Sequence, residues 1–91
     1  MRYEIKFSDK ARKSLKQIDR FQAKIVVAWI EKNLSGCSDP RAYGKALSGD
    51  KKDYWRYRVG NYRIIAEIDD GRIWINIINI SHRREIYRNP K

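Results

Sequence analysis

Ninety-one residues, 42% of them hydrophobic and including three Trp, six Tyr and two Phe, suffice for one small domain spanning residues 1–91 and are too few for two. The formal net charge of +10 is spread along the chain, with nine basic and five acidic residues in the first forty positions and twelve and six in the rest, which excludes a basic tail on a neutral body and favours a polyanionic partner. A single cysteine, Cys37, rules out an intramolecular disulfide or a thiolate cluster, and the absence of any signal-length or membrane-length apolar run leads us to expect a cytoplasmic protein with no membrane partner.

Residues 2–7 alternate, with Tyr3, Ile5 and Phe7 on one side and Arg2, Glu4 and Lys6 on the other, as in a half-buried strand. Ser8 stands where a helix N-cap would, and a helix over 9–17 turns Ala11, Leu15 and Ile18 inward. Asp19 is a second N-cap candidate. The helix over 20–34 has a stripe of Phe21, Ile25, Ala28, Trp29 and Ile30, widened by Val26 and Val27, and Ser35-Gly36 ends it. These signals predict a two-helix hairpin. The stretch CSDPRAYGKALSGDKK is turn-forming, with a short helical turn expected around 42–47.

The rest of the chain reads as strand over 54–59, 62–68 and 73–80, where aromatic and β-branched residues dominate. Gly60-Asn61 and Asp70-Gly71 both suit two-residue hairpin loops. With those loops, Val59 faces Tyr62, Arg58 faces Arg63, Ile68 faces Ile73 and Ala66 faces Ile75. Directly opposed residues share a face. One face then gathers Trp55, Tyr57, Val59, Tyr62, Ile64, Ala66, Ile68, Ile73, Ile75 and Ile77 as a core beneath the helices. The other carries Tyr54, Arg56, Arg58, Arg63, Ile65, Glu67, Trp74, Asn76, Ile78, Ile80 and His82 and is left open. The fold class is α+β: an N-terminal strand, a two-helix hairpin, then a three- to four-stranded antiparallel sheet.

Placing Arg58 directly opposite Arg63, with Arg56 on the diagonal, costs roughly 0.2–1 kcal/mol unless the charge is used. A permanently charged planar guanidinium fits phosphate in a bidentate manner, so the open face is a candidate anion site, with Tyr54 and Trp74 as candidate base-stacking rings. His82, the only histidine, is a candidate for proton transfer. No Walker loop, GxGxxG, CxxC, HExxH or nucleophile elbow is present, and the carboxylates do not cluster as a metal site requires.

The segments DPRAYGKAL, WRYRVGNYRII, IDDGRIWINIINI and SHRREIY, in this order after a strand and a helical hairpin, resemble the RelE/ParE toxin superfamily over nearly the whole chain, and WRYRVGNYR and HRREIY look more like its RelE ribonuclease branch. That resemblance implies a microbial-ribonuclease-like fold and a toxin that cleaves mRNA in the ribosomal A site, held inactive by a RelB-like antitoxin in a hetero-oligomer. The implied reaction is attack by a ribose 2′-hydroxyl on its own 3′ phosphate, with no metal or organic cofactor. It needs a base for the 2′-hydroxyl, cations for the phosphorane and an acid for the 5′-oxygen. By this resemblance Arg63 and Arg83 are catalytic phosphate-binding arginines and Tyr87 orients or stacks on substrate, while Arg56, Arg58, Lys45 and Arg84 contact RNA or phosphate.

One departure is chemical: Arg56 and Arg58 stand where the best-known members have lysines, and a guanidinium cannot act as a base, which leaves His82 and Tyr87 as the candidate side-chain bases. Strand alternation also puts His82 on the open face and Arg83 on the other, and a bulge just after Ile80 would reconcile Arg83 with the family. The alternative reading is a ParE-like, non-nuclease toxin that inhibits DNA gyrase.

Overall fold

The computed structural model describes residues 2–47 and 54–82. Five strands and two helices run in the order β1 (Glu4–Phe7), α1 (Asp9–Gln17), α2 (Arg20–Asn33), β2 (Lys45–Ala46), β3 (Tyr54–Val59), β4 (Tyr62–Asp69) and β5 (Trp74–His82). Both predicted caps are present. Ser8 Oγ accepts the Ala11 N–H at 3.0 Å, and Asp19 accepts those of Phe21 and Gln22 at 3.0 and 3.2 Å, satisfying donors that a helix start leaves open. Gly36, at φ 76°, takes the left-handed turn that releases the chain from α2.

The sheet order is β1-β5-β4-β3-β2, with β1 parallel to β5 and the other neighbours antiparallel. Alternation along β3 and β4 buries Tyr57, Val59, Tyr62, Ile64, Ala66 and Ile68, and all but Ile68 join a cluster with Ala11, Val26 and Ile30 from the helices and Leu34 just after α2. Ile5, Phe7, Leu15 and Ile18 pack at the margins of this core, as their spacing predicts. The helices cover one side of the sheet and leave the other uncovered.

Four expectations need correction. In α2, Val26, Ile30 and the following Leu34 point inward, while Phe21 and Ile25 are 67% and 43% exposed and Ala28 is exposed too. At about 100° per residue, these three lie roughly a quarter turn or more round the axis from Val26, outside the buried sector. Residues 42–47 hold no helical turn; instead Lys45 and Ala46 pair with Arg56 and Trp55 as an edge strand.

The β4–β5 loop is longer than two residues. Asp69 faces Trp74 and Ile68 faces Ile75, with Ile73 at φ 59° inside the turn. A shift of two leaves Ile75 and Ile77 on the core side, so the faces survive the error. The fourth correction does change a face. The register jumps between Ala66, opposite Ile77, and Ile65, opposite Asn79, so β5 carries one extra residue, Ile78. Beyond this bulge Ile80 is buried, and His82 faces Tyr62 on the core side rather than standing among the arginines. The bulge precedes Ile80 instead of following it. Helix α1 fastens it: Ser8 Oγ donates to the Ile78 carbonyl at 2.8 Å, and Ser14 Oγ lies 3.4 Å from Asn79 Oδ1.

Candidate nucleic-acid interface

The tight Gly60-Asn61 turn sets the geometry of the uncovered face. Gly60 adopts φ 60°, Val59 faces Tyr62, and Arg58 therefore lies directly opposite Arg63. Arg56 faces Ile65 two residues back along β3, and Lys45 faces Arg56 from β2. On the far side of Arg63 the bulged β5 brings Ser81 into register. Four cations from three adjacent strands thus share one face; Lys45 and Arg58 are exposed, Arg56 and Arg63 partly buried. A cleft of about 260 Å³ opens there, lined by Gly44, Lys45, Arg56 and Arg58. Among the described residues its lining holds no carboxylate, which suits an anion.

Lys45 owes its position to the loop before it. Gly44 sits at φ 75°, and a Cβ there would collide with the Arg56 carbonyl, so the β2–β3 contact is as close as backbone allows. Upstream, the buried Tyr57 hydroxyl donates to the Pro40 carbonyl at 2.6 Å, and Trp55 Nε1 donates to the Tyr43 carbonyl. Trp29 packs edge-on to Tyr43 with ring centroids 5.9 Å apart. Arg41 grips Asp70 through two 3.1 Å bonds, and Tyr3 donates to the same carboxylate at 2.7 Å. The Arg41 and Tyr3 hydrogen bonds hold the Asp70 carboxyl below its ordinary pKa, whereas burial pushes the Tyr57 phenol well above its own. Sequence reasoning gave Lys45 a role but missed this fastening, because none of these pairs is adjacent in the chain.

Of the predicted site residues, Lys45, Arg56, Arg58 and Arg63 are brought together. His82 is not: its ring lies edge-on to Tyr62 at 5.0 Å, on the core side. Arg83, Arg84 and Tyr87 lie outside the described residues. The stacking candidate Trp74 stands opposite Asp69, six positions along β4 from Arg63 and hence roughly 20 Å away. Lys6 Nζ and the Arg72 guanidinium already lie 4.7 and 5.3 Å from its ring centre. Ser81 was missed, although the alternation of INIINI changes phase at the adjacent Ile77 and Ile78, where the bulge lies.

A family model described as the ParE toxin of the type II toxin-antitoxin system parDE matches residues 5–87. Toxin RelG of Mycobacterium tuberculosis is 30% identical over 97% of this chain and 99% of its own, and toxin RelE of the same organism is 34% identical over 82% and 79%. Among solved structures, a chain of the toxin-antitoxin complex RelBE2 from Mycobacterium tuberculosis superposes with a TM-score of 0.80 at 28% identity, covering 91% of this chain and 93% of that one. Fold, turn, arginine-bearing strands and relatives agree: the chain belongs to the RelE/ParE family of type II toxin-antitoxin toxins.

Proposed function

We propose that this toxin is a metal-independent endoribonuclease that cleaves mRNA in the ribosomal A site and so arrests translation. The observation that carries the reading is the direct opposition of Arg58 and Arg63 on a face that neither α1 nor α2 covers, with Arg56 and Lys45 beside them. Opposed guanidiniums repel each other in the free protein and are relieved when a phosphate sits between them. In-line attack of a 2′-hydroxyl builds a doubly charged phosphorane, and fixed cations at that point stabilise it more than they stabilise the ground state. Arg63 grips the scissile phosphate, with Arg58 and Arg56 sharing its charge. Arg83, two positions after Ser81 in sequence, and Tyr87 keep the roles that the family resemblance gives them, a second phosphate contact and a substrate-orienting ring, and Arg84 remains an RNA contact.

Primer extension on translated mRNA tests this. The wild type should give cuts at A-site codons, and Arg63→Ala should reduce them by about two to three orders of magnitude, matching roughly 2.7–4 kcal/mol for the loss of a preorganised charge donor. Intact mRNA together with DNA damage would instead favour the alternative reading, a ParE-like non-nuclease toxin that inhibits DNA gyrase.

The same reading includes a cognate antitoxin. Its support is on the helix side, where Phe21 and Ile25 are exposed and an apolar groove between α1 and α2 is lined by Leu15, Ala23, Val27 and Ala28 and edged by Arg20 and Lys24. Cations flanking an apolar strip fit an amphipathic helix with acidic shoulders. The solved relative RelBE2 is itself a toxin-antitoxin complex.

A further inference from the structure

We infer that Lys45 is the general acid of the cleavage, delivering a proton to the 5′-oxygen as it leaves; this rests on the endoribonuclease reading above. Two side chains beside Lys45 in the cleft, Arg56 and Arg58, carry guanidiniums that stay protonated throughout, so they can balance charge but cannot give up a proton. The remaining described residue of the cleft, Gly44, has no side chain. His82, the residue whose chemistry suits proton transfer best, is turned to the core side by the bulge in β5. Among the described residues that line the cleft, the ammonium of Lys45 is thus the one side-chain group that can release a proton.

Its placement is built. Lys45 lies directly across from Arg56, which fixes its side chain on the arginine face, and Arg58 is its diagonal neighbour in the same register. The glycine before it packs backbone on backbone against Arg56, in a contact that no other residue permits. An alkoxide leaving group is far more basic than an amine, which makes an ammonium a competent acid.

The 2′-oxygen gives up its proton to solvent and forms a bond to phosphorus. The bond from phosphorus to the 5′-oxygen breaks, its electron pair going to that oxygen. The 5′-oxygen takes the proton from Lys45 Nζ, giving a 2′,3′-cyclic phosphate, a free 5′-hydroxyl and a neutral amine that recovers its proton from water. Charge support at the phosphate stays with Arg58 and Arg63, and proton delivery belongs to Lys45.

Substitution of sulfur for the bridging 5′-oxygen separates these roles, because a thiolate leaves without protonation. Ribosomes are programmed with a synthetic mRNA carrying either the oxygen or the 5′-bridging sulfur at the A-site bond, and the wild-type toxin is compared with Lys45→Arg, which keeps the charge. The variant should cut the oxygen substrate about 100-fold more slowly, the scale of a lost general acid, and the sulfur substrate at close to the wild-type rate. Equal slowing on both substrates would make Lys45 an electrostatic contact only, and no slowing on either would remove it from the reaction; each overturns the proposal. Failure of the wild type to cut either RNA would defeat the nuclease reading itself. Unfolding curves of both proteins must coincide, and Lys45→Gln serves as a second variant if those of Lys45→Arg do not.

Discussion

Two glycines on the arginine face illustrate how much a single missing Cβ can decide. Gly44 and Gly60 both have positive φ, at 75° and 60°, but a Cβ on Gly60 meets nothing within 4 Å whereas one on Gly44 runs into the Arg56 carbonyl. Gly60→Ala should therefore carry only the left-handed backbone penalty, about 1–2 kcal/mol. Gly44→Ala adds a clash that moves β2 off β3, taking Lys45 with it. Urea unfolding should place Gly44→Ala below Gly60→Ala in stability by about 1 kcal/mol or more, and RNA cleavage should fall in the former. Equal unfolding midpoints would mean that the edge strand yields without cost and that the packing at Gly44 does not place Lys45.

At the scale of elements, β3 supports the loop that leads into β2, and Tyr57 is the link. Its hydroxyl is buried and donates to the Pro40 carbonyl, and burial raises its pKa in the folded state. A phenol is neutral when protonated, so the stability tied to this raised value is fully present below the unfolded pKa near 10 and is lost as pH climbs toward the folded one. Tyr57→Phe forfeits the hydrogen bond, about 1 kcal/mol near pH 7, but has no phenol to ionise. Above pH 10 the wild type should lose roughly 1.4 kcal/mol per pH unit relative to the variant, so their unfolding curves should converge and then cross. Parallel decline of the two proteins between pH 10 and 11 would show that this phenol is not held neutral by the fold.

Legibility also divides by element. The caps at Ser8 and Asp19, the Gly60-Asn61 turn and the opposition of Arg58 and Arg63 were readable because each depends on residues close in sequence. The bulge was not read, because its only trace in the sequence is the phase change at Ile77-Ile78 between Asn76 and Asn79, and the polar groups that fasten the kink, Ser8 and Ser14, come from another part of the chain. That hidden residue is what moved His82 across the sheet. The α2 stripe misled for a related reason: Phe21 and Ile25 are as apolar as Val26 and Ile30, and only packing against the sheet decides which row goes inward. A two-residue strand such as β2 is too short to carry any period.

Taken as a whole, the molecule keeps its two surfaces apart: cations on the uncovered sheet face, exposed apolar side chains on the helices behind it. Phe21, at 67% exposed, contributes little to the core, so Phe21→Ser with Ile25→Ser should leave folding stability nearly unchanged and spare the arginine face. If the antitoxin docks on the helices, the double variant should bind it at least about tenfold more weakly, the loss expected when a large aromatic contact is removed from an interface. Ribosomal mRNA cleavage by the free toxin should persist at the wild-type rate, and only its suppression by antitoxin should fail. The two readouts would then move independently, as they must if inhibition and catalysis use opposite sides of one sheet. Unchanged antitoxin affinity would place the partner elsewhere, and a parallel loss of cleavage would show that the helix face also contributes to catalysis.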